Sequence, residues 1–236
     1  MDFPLRVFFD EIFSQLALSS PGERSFSPQK VLFWGERAGE ISSYVAGWLA
    51  GKGREVIVLD GANRFDPYMV SSFARKALIP PERLLKKIRI ARAFTCYQMA
   101  TLMGERLGSF LREEEEKPWV VVLGPITTFL DEDVPEREVQ PLFNRSLEKM
   151  EEMAMERVPF LLFQPSVFLN PTFTKGEIGG LKNSKRTHLL RRLFQFSNLV
   201  WKISLEDQEP KVILEKNVAD GKWLMADRKN QITSTQ

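Results

Sequence analysis

The sequence predicts an α/β protein with a doubly wound, mostly parallel sheet, helices on both faces and a C-terminal antiparallel hairpin. Three observations favour this class. Most of the five short apolar runs are continuous rather than alternating, as strands buried on both faces of a parallel sheet require. Stretches with helical periodicity separate these runs, which implies right-handed β-α-β crossovers. The last two apolar segments instead alternate with a period of two, which is typical of a hairpin.

The elements follow in a regular order along the chain. The predicted strands are 31–34, 56–59, 88–91, 120–123 and 160–163. The predicted helices between them are 41–51, 67–78, 96–111 and 136–157. A long loop is expected over 165–186 and a hairpin over 199–216, with a polar turn between its strands. Before the first strand, residues 1–28 are expected to form a helical segment with an amphipathic apolar face.

Composition excludes several classes of protein. The chain has 236 residues, 43% hydrophobic and 27% charged, which is typical of soluble globular proteins rather than of disordered or collagen-like chains. This length suits one large α/β domain or two small ones. A formal net charge of +2 excludes a globally basic nucleic-acid coat but allows a local basic patch.

Cysteine and histidine are too scarce for disulfide or zinc chemistry. The single cysteine, Cys96, cannot form an intrachain disulfide, which favours a reducing compartment. With only His188 beside it, an all-protein zinc site is not expected, and we predict no metal site. Charged residues interrupt the apolar N-terminus, and no later stretch reaches about 18 uncharged apolar residues. We therefore expect a cytoplasmic protein with no membrane partner.

The loop after the first strand is where a nucleotide site is expected. There a helix N-terminus presents free N–H groups to an anion. A phosphate-binding P-loop has the pattern G-x-x-x-x-G-K-[ST], in which glycines let the backbone wrap the phosphates and the lysine reaches them. Aligned on Gly35, the chain has Glu40 at the second glycine, Ile41 at the lysine and Ser42 at the hydroxyl. The position suits a phosphate, but the cation is missing.

Several segments resemble the RecA/RadA recombinase family. Residues 89–98, RIARAFTCYQ, look like the strand-to-helix stretch of archaeal RadA that contains ARAF. Other segments resemble the family in the same order along the chain: 60–67, 120–129, 160–164 and 213–216. The resemblance spans residues 32–216 and implies a single RecA-like core domain over 1–236, with no helical DNA-binding domain before it.

The resemblance also implies that the catalytic residues are lost. The family's P-loop lysine matches Ile41, its water-orienting glutamate matches Ala62, and its magnesium-supporting aspartate matches Gly124. Phosphoryl transfer depends on positioning and on neutralising charge, so these losses predict a pseudo-ATPase with no catalytic residue and no cofactor. The alternative is a divergent RecA-family ATP-binding protein or ATPase with a non-standard P-loop.

Some residues of the family's nucleotide site remain matched. The predicted vestigial site consists of Gly35, Gly39, Ser42, Ser43 and Gln164. Gln164 matches a γ-phosphate sensor, and Lys216 matches a ligand on the C-terminal strand. Each has a structural alternative: a buried amide that satisfies the backbone at a strand end, and a solvated lysine on an edge strand.

The loop 165–186 is the strongest candidate for nucleic-acid binding. Loops longer than about 12–15 residues in a compact domain are usually functional or disordered, and the corresponding recombinase loop contacts single-stranded DNA. The predicted contacts in and after the loop are Lys175, Lys182, Lys185, Arg186, Arg191 and Arg192. These cations can follow a phosphate backbone while Phe168 and Phe173 offer stacking faces. The alternative is that the cations keep the loop soluble and the phenylalanines pack on the core.

The resemblance predicts an accessory or regulatory paralogue in DNA recombination or repair. Its expected partners are single-stranded DNA and an active recombinase or another repair protein, with a homo-oligomer as a further assembly. The apolar stripe on the helix 136–157, which ends in Met150, Met153 and Met155, is interpreted as core.

A third hypothesis is an unrelated enzyme on the same fold. Asp60, Asn63 and Asp66 follow the second strand at the edge where ligands bind, and carboxylates there can hold a metal or transfer protons. An Asp-Gly-x-Asn sequence is more often a turn held by side-chain to backbone bonds, with Pro67 opening the next helix.

Overall fold

The computed structural model describes residues 30–113, 116–166, 186–206, 209–219 and 222–224. These residues form one mixed sheet of eight strands in the order β3-β2-β4-β5-β1-β6-β7-β8. Strands β1 to β6 pair in parallel, whereas β6, β7 and β8 pair antiparallel. The predicted mixed α/β class, its mostly parallel sheet and its C-terminal hairpin are confirmed.

The strands lie close to their predicted positions. They are β1 Val31–Gly35, β2 Val56–Asp60, β3 Ile88–Arg92, β4 Trp119–Leu123, β5 Phe160–Pro165, β6 Leu199–Glu206, β7 Glu209–Ala219 and β8 Lys222–Leu224. The helices are α1 Ala38–Gly51, α2 Pro67–Lys76, α3 Pro81–Leu85, α4 Cys96–Thr101, α5 Leu107–Glu113, α6 Glu136–Met155 and α7 Thr187–Phe196. A π-helical segment, Leu102–Arg106, joins α4 to α5, and a 3-10 turn, Thr127–Leu130, follows β4.

Both faces of the sheet carry helices, as predicted. Alternate residues of a strand point to opposite faces, so Val31 and Phe33 of β1 belong to one core and Leu32 and Trp34 to the other. Helices α1, α2 and α3 cover the first face, and α4 to α7 cover the second. The central strands are buried on both faces, which explains their unbroken apolar runs.

Some elements differ from their predictions. The helix after the first strand begins three residues earlier than predicted, at Ala38. Helices α3 and α7 were not predicted, because α3 has only five residues and α7 follows directly on the long loop. Met150 and Met153 are buried as expected, but Met155 is 70% exposed.

Two predicted segments cannot be compared with the structure. Residues 1–28 and most of the loop 165–186 lie outside the described residues. Within the described ranges, none of the helices is long and apolar enough to cross a membrane.

Candidate functional site

The connection between β1 and α1 is only two residues long, Glu36 and Arg37. Gly35 has a φ of 121°, and a Cβ built on it would lie 2.1 Å from the carbonyl oxygen of Ile203 on β6. The Glu36 N–H donates to that same carbonyl at 3.0 Å, and the Glu36 carboxylate accepts from the Leu205 N–H at 2.7 Å. Gly35 is therefore needed for the close approach of β6, which is a structural reason for a glycine here.

Helix α1 occupies the positions where a P-loop would wrap phosphates. Because α1 begins at Ala38, the Ile41 N–H already donates to the Arg37 carbonyl, at 3.0 Å. The Ile41 side chain is completely buried in the core beneath α1. The residue at the lysine position thus points into the protein and its backbone is fully helical.

The two serines predicted in the vestigial site form hydrogen bonds within their own helix. Ser42 and Ser43 are completely buried, and both hydroxyls donate to the Gly39 carbonyl, at 2.6 and 3.0 Å. The Ser43 hydroxyl also accepts from the Asp66 N–H at 2.9 Å. A Cβ at Gly39 would lie 2.8 Å from the Cβ of Arg64, so this glycine allows the loop after β2 to pack on α1.

A carboxylate lies at the N-terminus of α1. Glu40 is in the first turn and accepts from the Arg37 guanidinium, whose Nε lies 2.9 Å from the Glu40 Oε2. This hydrogen bond and the charge of Glu40 raise the pKa of Arg37 despite its partial burial. A negative charge is favoured at a helix N-terminus, so Glu40 stands where an anionic ligand would otherwise gain from the dipole.

The loops after β2 and β4 are packed directly on each other. Gly124 has a φ of 71°, and a Cβ there would lie 2.7 Å from the Cβ of Ala62 and 2.7 Å from the Thr127 hydroxyl. A Cβ on Gly61 would lie 3.0 Å from the Gly124 carbonyl oxygen. Position 124 thus has no room for a side chain, and it lies directly against Ala62.

The side chain of Gln164 completes this contact. It is buried at the end of β5, where its Oε1 accepts from the Ile126 N–H at 3.2 Å. Its Nε2 donates to the Thr127 hydroxyl at 3.2 Å and to the Pro165 carbonyl at 3.0 Å. This is the geometry of the structural alternative, a buried amide that joins the end of β5 to the loop after β4. We call Gly61, Ala62, Gly124, Thr127 and Gln164 the closed junction.

Asp60, Asn63 and Asp66 form a turn rather than a convergent carboxylate site. The completely buried Asp60 carboxylate accepts from the N–H groups of Ala62, Arg64 and Phe65 at 3.0–3.2 Å. Asn63 has a φ of 52°, and Asp66 caps α2 by accepting from the Tyr68 N–H at 2.8 Å. Among the described residues there is no group of acidic, histidine or cysteine side chains that could hold a metal. The Asp60 and Asp66 carboxylates thus bind backbone N–H groups, as in the turn interpretation of this segment.

Lys216 is not the solvated edge lysine of the structural alternative. It is buried, and its ammonium group donates to the carbonyls of Phe194 and Ser197 at 2.7 and 2.5 Å and to that of Gln195 at 3.2 Å. These carbonyls lie at the C-terminus of α7, where a cation is favoured. Burial, together with the charge of Lys30, lowers the pKa of Lys216. The lysine therefore links β7 to the C-terminus of α7 through these hydrogen bonds.

Arg186 is buried, which contradicts its prediction as a nucleic-acid contact. The residue is 4% exposed, and its Nε donates to the Glu136 carboxylate at 3.1 Å. The rest of the guanidinium donates to the carbonyls of Phe129, Asp131 and Val134, the first at 2.8 Å. A phosphate could not reach these donors without breaking the contact between α6, α7 and the segment after β4.

A polar network continues from Arg186 along α6 and α7. The Glu136 carboxylate also lies 3.2 Å from the His188 Nε2. Burial alone would raise the pKa of Glu136, but hydrogen bonds from Gln140 and Arg186 and the charges of His188 and Arg186 outweigh it and lower that pKa. The network holds the start of α6 against α7.

The remaining predicted nucleic-acid residues differ in their availability. Arg192 donates to the side chains of Gln140 and Asn144, at 3.3 and 2.6 Å, and lies over the ring of Phe143. Arg191 is exposed on α7. The predicted contacts Lys175, Lys182 and Lys185 lie outside the described residues. Of the three arginines in the prediction, only Arg191 therefore keeps its side chain exposed to solvent.

The structure exposes one group that the sequence analysis did not single out. Residues 83–92, RLLKKIRIAR, contain five cations and no acid. They run through α3 and β3, the first strand in the sheet order, and are followed by the exposed rings of Phe94 and Tyr97. The acid-free run is the sequence signal that could have found this group, but its residues 89–92 were interpreted only as part of the segment that resembles the recombinases.

Neither the models of protein families nor the curated protein sequences give a match to this chain.

Proposed function

We propose that the chain is a catalytically inactive, RecA/RadA-like paralogue that acts as an accessory protein in DNA recombination or repair. The observation that carries the proposal is the closed junction. The positions that the resemblance assigns to three separate steps of ATP hydrolysis are filled by packing: Ile41 in the core and Ala62 against Gly124. The residues that lack the side chains needed for ATP hydrolysis are thus the same residues around which packing leaves no space for a ligand.

The sheet supports the fold part of the proposal. Four neighbouring parallel strands, β1, β2, β4 and β5, bring Gly35, Asp60, Leu123 and Gln164 to their carboxyl ends, within or beside the segments that carry the resemblance. The order β3-β2-β4-β5-β1 differs from the dinucleotide-binding and flavodoxin-like orders, 3-2-1-4-5-6 and 2-1-3-4-5. The strand order therefore does not favour a ligand site of the dinucleotide-binding or flavodoxin-like kind.

Calorimetric titration with magnesium and ATP tests the loss of nucleotide binding. We expect no saturable heat and no phosphate release, because α1 and the closed junction fill the positions of the phosphates and the metal. Saturable binding with turnover would instead establish the divergent ATPase alternative. Saturable binding without turnover would contradict the closed site while leaving catalysis lost.

The DNA-binding part of the proposal rests on Arg191 and on the cations of the loop 165–186. Anisotropy of a labelled oligothymidine should show weaker binding for the triple variant Lys182→Ala, Lys185→Ala and Arg191→Ala. Arg186 is left unchanged because it is buried. A double variant of the exposed arginines Arg137 and Arg145 on α6 is the charge control. Equal affinity of the triple variant and the wild type would refute this loop as a DNA contact.

The accessory part of the proposal predicts a protein partner. Mixing the chain with a purified, active recombinase from the same source should change that recombinase's rate of strand exchange or its filament length. No change in either quantity, and no complex by light scattering, would contradict the accessory assignment.

A further inference from the structure

Strand β3 lies at one edge of the described sheet. It comes first in the strand order and pairs only with β2 among the described residues. The Ala93 N–H donates to the Asp60 carbonyl and the Lys87 carbonyl accepts from the Val56 N–H. Backbone groups alternate sides along a strand, so those of Ile88, Ile90 and Arg92 face away from β2. Backbone N–H groups of this kind can donate to phosphates.

The side chains along this edge are basic and exposed. Arg83, Lys86, Arg89 and Arg92 are all exposed, and no acid occurs in the sequence between Arg83 and Glu105. Arg92 is anchored at 3.4 Å to the buried Asp60 carboxylate and donates to the Phe65 carbonyl, yet its side chain stays 41% exposed. The chain as a whole has a net charge of only +2, so this edge concentrates positive charge.

Two aromatic rings continue the edge beyond the end of β3. Phe94 is 66% exposed and Tyr97 is 46% exposed. The Phe94 N–H donates to the Gln98 side chain at 2.8 Å, and Thr95 caps α4 by accepting from the Gln98 N–H. The Tyr97 hydroxyl donates to Glu138. Both rings are thus presented to solvent by a fixed turn, at the cost of exposing apolar surface.

We propose that this edge binds single-stranded nucleic acid, with the cations on phosphates and the rings stacked on bases. We name Arg83, Lys86, Arg89, Arg92, Phe94 and Tyr97 the β3 edge strip. Single-strand binding surfaces combine a basic track with aromatic platforms, and the strip has both along one edge strand and the turn after it, with Arg89 and Arg92 on opposite faces of β3. The proposal goes beyond the proposed function because it concerns a different part of the sheet. The strip lies on β3, at the edge, whereas the loop 165–186 follows β5, which is separated from β3 by two strands.

Two other roles of an exposed edge strand are protection of the sheet from pairing and addition of a further strand. Each of them uses fewer of the cations, rings and outward N–H groups than nucleic-acid binding does. Charged side chains on an edge strand protect a sheet from pairing with another edge, but that purpose is served without exposed rings. An acidic peptide or a second copy of the chain could add a strand to β3, but its backbone would need neither the flanking cations on α3 nor the two rings. Nucleic acid uses the cations, the rings and the outward N–H groups together.

Fluorescence anisotropy with a labelled oligothymidine of about 20 nucleotides tests the proposal. The double variant Lys86→Ala and Arg89→Ala should bind about tenfold more weakly at low salt. It should also reduce the slope of log K against log salt by about 1.4, since each phosphate contact contributes about 0.7. The control is the double variant Arg137→Ala and Arg145→Ala, which removes the same charge from the exposed face of α6 and should bind as the wild type does.

Phe94 separates stacking from simple charge attraction. Phe94→Tyr keeps a ring and should retain the wild-type affinity, whereas Phe94→Leu should weaken binding at least about fivefold. Circular dichroism melting of each variant checks that the fold is intact. Equal affinities for Phe94→Leu and Phe94→Tyr would overturn the stacking contact and with it the proposal.

The remaining outcomes are equally decisive. No oligothymidine binding by the wild type, or binding that polyglutamate displaces at equal charge, would overturn the strip as a nucleic-acid site. If the Lys182, Lys185 and Arg191 variant loses affinity and the strip variants do not, the strip proposal fails and the loop hypothesis stands. The reverse result supports the strip and refutes the loop, so the two failures are distinguishable.

Discussion

The closed junction and the β3 edge strip lie on the same sheet and use their residues in opposite ways. In the junction, backbone approaches backbone so closely that Gly61 and Gly124 leave no room for a side chain, and the Gln164 amide is hydrogen-bonded on both sides. In the strip, cations and rings extend into solvent although apolar exposure is unfavourable. Residues matched to a nucleotide site serve the fold, whereas Arg83, Lys86 and Phe94 of the strip extend into solvent. The polar ends of Arg92 and Tyr97 also bond to Asp60, Phe65 and Glu138.

This contrast indicates that a family motif does not identify which of its residues face a ligand. The ARAF segment contributes both kinds of residue: Ala93 is buried and Phe94 is exposed. Solvent exposure distinguishes the residues that serve the fold from those that a ligand can reach. The comparison predicts that substitutions at the junction change stability, and that substitutions of Lys86, Arg89 and Phe94 in the strip change binding with little effect on stability.

The largest effect is expected at Gly124. Gly124→Ala places a methyl group within 2.8 Å of the Ala62 backbone nitrogen and in a left-handed conformation. Conformation and overlap together should cost about 3 kcal/mol of unfolding free energy, measured by urea denaturation. Gly53→Ala is the matched control, because Gly53 has a φ of 86° but no atom within 4 Å of a built Cβ. Its cost should be only about 1 kcal/mol, and equal costs would mean that the junction is not closed.

The next effect is expected at Arg186. Arg186→Met removes the donors to three backbone carbonyls and to Glu136 in a buried position. We expect a loss of about 2–3 kcal/mol in urea denaturation. Arg191→Ala, on the exposed side of α7, the helix that Arg186 precedes, should change stability by less than about 0.5 kcal/mol. Similar values for the two variants would remove the distinction between buried and exposed arginines in this region.

A smaller effect is expected from the ionisation of Glu136. Its pKa is lower in the folded protein than in the unfolded chain, so its stabilising contribution is complete above the unfolded value of about 4.3 and is lost as the pH falls through the folded value. Glu136→Gln should therefore flatten the acid limb of stability against pH. Because the side chain is 46% exposed, solvent screening keeps this effect small. Parallel acid limbs for variant and wild type would contradict it.

The smallest effect on stability is expected in the strip itself. Lys86→Ala with Arg89→Ala, and separately Phe94→Leu, should each change the unfolding free energy by less than about 0.5 kcal/mol. Urea denaturation measures this directly. A loss comparable to that of Gly124→Ala would show that the strip belongs to the core, and the comparison between the two regions would fail.

The class of the fold follows from the amino-acid sequence alone. The continuous apolar runs predicted β1, β2, β4 and β5 to within two residues at each end, because burial on both faces leaves no alternation. The period-two segments predicted the β6 and β7 hairpin, although β7 extends further, to Ala219. The turn at Asp60 was also anticipated, because its partners are near in sequence.

The roles of the site residues depend instead on tertiary packing. Whether Arg186 reaches solvent depends on carbonyls more than 50 residues away, and whether Lys216 does depends on the end of a different element, α7. The need for glycine at position 124 comes from Ala62, on another loop. Sequence patterns record local periodicity and charge, whereas burial and close approach depend on long-range packing. For this reason the fold class could be predicted from the chain, and the closed junction could not. The acid-free run 83–92 indicates the charge of the β3 edge strip, but its position on an edge strand beside exposed rings depends on the tertiary structure.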